Sequence, residues 1–87
     1  MKKITKQKWI DALRSGRFEQ CFGNLTVSTG ASCVLGVLNR ITGGTGHAYP
    51  RCVSESFQNK LVELNDKNRY TFHQLANYIS RNLKTED

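Results

Sequence analysis

A chain of 87 residues and 9.9 kDa builds one domain around one hydrophobic core. Its 38% apolar and 23% charged content, with four Phe, three Tyr and one Trp, excludes disorder, and no stretch nears the roughly 18 apolar residues of a membrane span. The net charge of +6 lies wholly in residues 1–52, where eight bases (Lys2, Lys3, Lys6, Lys8, Arg14, Arg17, Arg40, Arg51) meet two acids (Asp11, Glu19); residues 53–87 hold five of each.

The first element is a helix. Thr5 is its expected N-cap, with Ile4 stapled onto Trp9. Trp9, Ile10, Ala12 and Leu13 form one apolar stripe, and Gly16 is the expected left-handed stop behind Arg14. From Arg17 to Val27 the chain alternates loosely, with Phe18, Gln20 and Phe22 on one parity. Gly23-Asn24 then interrupts the run before Leu25-Thr26-Val27, which predicts a short β-hairpin.

Residues 32–41 (SCVLGVLNRI) suit a buried helix or a buried strand, because a run this apolar has no decisive period. Helix is preferred, since Ser32 can cap it and Gly43-Gly44 can stop it. Gly36 inside it costs about 1 kcal/mol against Ala, which close approach of another backbone would explain. Residues 42–53 form a Gly-rich loop carrying the lone Pro. Ser54 caps a short helix with Phe57, Leu61 and Leu64 at i, i+4, i+7, and Asn65-Asp66-Lys67-Asn68 is a turn signal. The last helix opens on a Thr71/Gln74 capping box with Tyr70 stapled to Leu75, and carries Phe72, Leu75, Ala76, Ile79 and Leu83 on one face.

The expected fold is therefore α+β: a single small domain over 1–87, with about four helices (two short) around a small β-hairpin. Residues 1–4 and 84–87 are expected to fray. The expected core is Trp9, Leu13, Phe18, Leu35, Leu38, Phe57, Leu61, Leu64, Phe72, Leu75 and Ile79.

Catalytic chemistry has little to work with. Cys21, Cys33 and Cys52 are odd in number and unpaired by any CxxC, which points to a reducing compartment. With His47 they fit no common zinc spacing. His73 sits in the first turn of the last helix as a solvent-facing residue. Acids are scattered, and Gly43-Gly44-Thr45-Gly46 lacks the Lys-Ser/Thr ending of a phosphate loop. A protein without enzymatic activity, metal or cofactor is expected, placed in the cytoplasm by its charged N-terminus, which has no apolar secretory run.

The order W-x-x-A-L-R-S-G-x-F-x-Q-x-x-G-x-L, then C-x-L-G-V-L, then L-N-D and F-x-x-L-A-x-x-I resembles a family of small bacterial and bacteriophage proteins, most without an assigned function. It is carried here by Trp9 through Leu25, Cys33 through Leu38, Leu64-Asn65-Asp66, and Phe72 through Ile79. Family members often have two adjacent cysteines where this chain has Ser32-Cys33, and a longer middle region. The resemblance implies the setting of a phage accessory gene, many of which counter host defence, and supplies no catalytic residues. Of its polar positions, Arg14, Gln20, Asn65 and Asp66 are expected to form an internal network tying the first helix to the Asn65-Asp66 turn.

Binding remains. Arginine forks grip phosphate with two bonds, and glycine backbones approach anions closely. Arg14, Arg17, Arg40, His47, Tyr49 and Arg51 are thus the candidate site for a small anionic ligand such as a nucleotide, with Tyr49 stacking on a base. A homo-oligomer would deepen such a pocket. The competing partners are a host defence protein, inhibited directly through the basic face, and nucleic acid. No helix carries the run of bases of a recognition helix.

Overall fold

The computed structural model describes residues 1–23, 30–43 and 53–85. Four helices follow one another: α1 (Lys3–Arg14), α2 (Val34–Ile41), α3 (Glu55–Asp66) and α4 (Phe72–Asn82). Among the described residues there is no strand, so the architecture is all-α and the expected α+β class with a β-hairpin is overturned. The first arm of that hairpin instead makes an isolated parallel bridge, Gln20 with Ser32. Its two bonds are Cys21 N–H to the Ser32 carbonyl at 2.9 Å and Ser32 N–H to the Glu19 carbonyl at 2.8 Å. Alternation reports which side chains of an extended run turn inward, not which segment it pairs with. Here the inward pair is Gln20 and Cys21, while Phe22 is exposed. The second arm, Leu25 to Val27, lies outside the described residues, as does most of the 42–53 loop.

Helix α1 starts a turn earlier than its Thr5 signal, with Lys2 as the N-cap and no side-chain cap bond. Ile4 is 62% exposed, so no staple onto Trp9 forms, and Lys3 and Ile4 belong to the helix instead of a frayed end. A tertiary contact ties this first stretch to α4: the Lys6 ammonium donates to the Ser80 and Leu83 carbonyls at 3.2 and 2.6 Å. Those oxygens lie in the last turn of α4, where carbonyls lack helical partners and attract a cation. Gly16, at φ +77°, ends α1 as its sequence predicts.

The α1 stripe Trp9, Ile10, Ala12 and Leu13 packs between α4 and α2. The run 34–41 is indeed helical, and Val34, Leu35, Gly36, Val37 and Leu38 are buried. Ser32 does not cap it; the N-cap is Cys33, which makes no side-chain cap bond. Ser54 does cap α3, its Oγ accepting the Phe57 N–H at 3.3 Å. Helix α3 runs on through Asn65 and Asp66, and the chain turns only afterwards, with Arg69 at φ +55°. The α4 capping box forms in both directions: Thr71 N–H to Gln74 Oε1 at 2.9 Å, and Gln74 N–H to Thr71 Oγ1 at 3.2 Å. The core takes in the expected residues except Phe18 and Phe57, which are half-buried against it.

Candidate functional site

The Asn65 side chain sits fully buried at the end of α3 and joins it to the 20–21 segment and the start of α2. Its Nδ2 donates to the Cys21 carbonyl at 3.0 Å and to Asp66 Oδ1 at 2.7 Å. Its Oδ1 accepts from Gln20 Nε2 at 2.9 Å and from the Val34 N–H at 3.4 Å. Gln20 Nε2 also donates to the Tyr70 carbonyl at 2.7 Å. A carboxamide offers two donors and two lone pairs, and here all four are used. Nothing is left over for a ligand. Gln20, Asn65 and Asp66 thus form the expected internal network, without Arg14.

Beside this network lie the thiols of Cys21 and Cys33, both buried and unoxidised. Burial pushes the Cys33 thiol above its ordinary 9.0, against the pull of the Gly36 and Leu35 backbone N–H groups. Burial, then the Asp66 carboxylate, raises Cys21 in the same direction. Thiols held protonated are poor nucleophiles. Among the described residues no cluster of His, Cys, Asp or Glu is placed to hold a metal ion, and no helix is long and apolar enough to cross a membrane.

The arginines are different. Arg14 ends α1, exposed, and its Nη2 donates to Asn77 Oδ1 of α4 at 2.8 Å. Arg17 bonds Ser15 Oγ through both its backbone N–H and its Nε and lies 5.8 Å from the Phe18 ring centre. Arg40, in the last turn of α2, is half-buried, and its enclosed Nε has no acceptor among the described residues. Arg14 and Arg17 flank the same Gly16 turn, but no contact among the described residues joins Arg40 to either. His47, Tyr49 and Arg51 lie outside the described residues.

A second feature escaped sequence reasoning. Along α4 runs an open groove of about 270 Å³ lined by Tyr70, Gln74, Asn77, Tyr78, Arg81 and Asn82. Five of these recur at i, i+3, i+4, i+7, i+8, the polar stripe opposite the apolar one. That period is readable in the sequence, but a polar stripe by itself only marks the solvent side of an amphipathic helix. Packing of α1 on α4 makes it distinctive, because Arg14 is brought against Asn77.

A protein-family model described as Domain of unknown function (DUF8296) matches residues 1–51. No curated protein and no solved structure matches the chain. The matched stretch includes α1, the bridge segment, α2 and every arginine of the candidate site, and it holds the whole net charge, with eight bases against two acids. Over more than half its length, then, this chain belongs to the DUF8296 family.

Proposed function

We propose that this protein binds a small anionic ligand of the nucleotide class through its basic half and performs no chemistry on it. One observation carries the reading: among the described residues no arginine pairs with a carboxylate, and the enclosed Arg40 Nε has no acceptor there. Guanidinium forks with no carboxylate partner are open to an anion, and phosphate matches their two-pronged geometry best. Neutralising acids are also scarce, with two in the family-matched stretch. The resemblance to phage accessory proteins suggests the setting: sequestration of a nucleotide immune signal in the host cytoplasm, by a homo-oligomer.

Calorimetric titration of a nucleotide panel tests this. Arg14→Gln or Arg40→Gln should weaken the preferred ligand about 10–100-fold, as expected for losing a charge-assisted bond, while Lys2→Gln changes little. Equal small losses at all three positions, fading with salt, would mean a diffuse polyanion surface instead of a pocket. No binding by any nucleotide overturns the reading.

A second reading, direct inhibition of a host protein, has its own observation. Phe22 is 37% exposed with the Arg69 guanidinium 4.3 Å from its ring centre, an aromatic–arginine pair of the kind that anchors protein interfaces. Pull-down from host lysate that is lost on Phe22→Ala, with nucleotides not binding, would shift the assignment to it. Nucleic acid would show itself as binding of long polyanions without a preferred mononucleotide.

A further inference from the structure

We infer that the α4 groove receives the aromatic end of the ligand, with Arg14 and Arg81 holding its phosphate. This rests on the nucleotide reading above and adds a location outside the family-matched stretch. Arg14 donates to Asn77 at 2.8 Å, and Asn77 lines the groove one helical turn before Arg81, which lines it too. Helix α4 contains no Asp or Glu, and neither arginine has a carboxylate partner among the described residues. Two cations at one end of the groove without a carboxylate partner suit a phosphate, which takes charge-assisted bonds from both.

The rest of the groove suits a heterocycle. Tyr70 is half-buried at its rim and offers a ring on which a base can stack. The Tyr78 ring, which lines the groove, packs against Phe57 with 5.9 Å between centroids. Gln74 has its Oε1 committed to the Thr71 N–H, which leaves its amide donors; Asn82 has its Nδ2 committed to the Tyr78 carbonyl, which leaves its oxygen. Donor and acceptor together match the edge of a base. The contact between Arg14 and Asn77 makes this groove continuous with the basic half.

The test compares adenosine monophosphate with ribose 5-phosphate by calorimetry on the wild-type protein and four variants, Tyr70→Ala, Tyr70→Phe, Arg81→Gln and Arg40→Gln. The base should add about 5–100-fold in affinity. Tyr70→Ala should erase that difference, Tyr70→Phe should restore it, and Arg81→Gln should weaken both ligands about 10-fold or more. Far-UV circular dichroism checks that each variant folds, and the Tyr70→Phe rescue keeps the result interpretable if Tyr70→Ala does not. If the monophosphate binds and is lost on Arg40→Gln, yet ignores Tyr70→Phe, Tyr70→Ala and Arg81→Gln, the groove is overturned and the nucleotide reading stands. If neither this nor any other nucleotide binds the wild type, both fall.

Discussion

The carboxamides of Gln20 and Asn65 meet at 2.9 Å across 45 residues of chain, and this contact ties the bridge segment to the end of α3. The same Asn65 oxygen takes the Val34 N–H, one of the donors that the start of α2 leaves open in the absence of a side-chain cap from Cys33. One side chain thus caps a helix in another part of the sequence and seals a loop.

Removing it should be expensive. Asn65→Ala leaves the Cys21 carbonyl, the Val34 N–H and the Gln20 amide without their partner in a buried site. At about 1–3 kcal/mol for a buried group left unsatisfied, the loss in urea unfolding should be about 3 kcal/mol. A loss below about 1 kcal/mol would show that water replaces the carboxamide.

Trp9 is a second long-range clasp, its indole N–H donating to the Val34 carbonyl at 2.9 Å with the ring 0% exposed. Trp9→Phe keeps an aromatic ring but removes the indole bond to that carbonyl and leaves space, and should cost about 2–4 kcal/mol. In the native protein Trp9 emission should be blue-shifted and resist acrylamide until the protein unfolds. Ready quenching under native conditions would contradict its burial.

Helix α4 separates cap from core. Thr71→Ala removes one satisfied N–H and should cost about 1 kcal/mol. Leu75→Ala, at 0% exposure, should cost 2–5 kcal/mol. Thermal or urea unfolding of the two variants should preserve this ranking; comparable losses would mean that the packed face is misassigned.

The thiols make stability depend on alkaline pH. Cys33 titrates above its ordinary 9.0 in the folded chain because burial disfavours the thiolate. The folded state therefore holds the proton more tightly than the unfolded state. The resulting contribution is fully present below the ordinary thiol value and is lost as pH rises through it toward the folded one. Urea midpoints should hold steady between pH 7 and 8 and fall above about pH 9. Cys33→Ala should flatten that fall, and an unchanged profile would remove Cys33 as its cause. Modification by iodoacetamide at pH 8 should be slow for Cys21 and Cys33 until denaturant is added.

What the sequence determined by itself was local. The α4 capping box, the Ser54 cap, the Gly16 stop and the helical identity of residues 34–41 depend on neighbours within a few positions, so they were legible in order and spacing. So was most of the core, because apolar periodicity selects the buried face whatever packs against it. The tertiary structure alone decided the pairings. Gln20 found Ser32 instead of a hairpin partner, Lys6 reached across to the end of α4, and Asn65 stayed helical because its carboxamide turned inward. Arg14 likewise left the expected network for Asn77, a residue of the groove along α4. Each of these joins residues at least 12 positions apart, and no propensity or period carries information over that distance. They exist because helices closing on a shared core bring unsatisfied carbonyls, amides and charges within reach of one another.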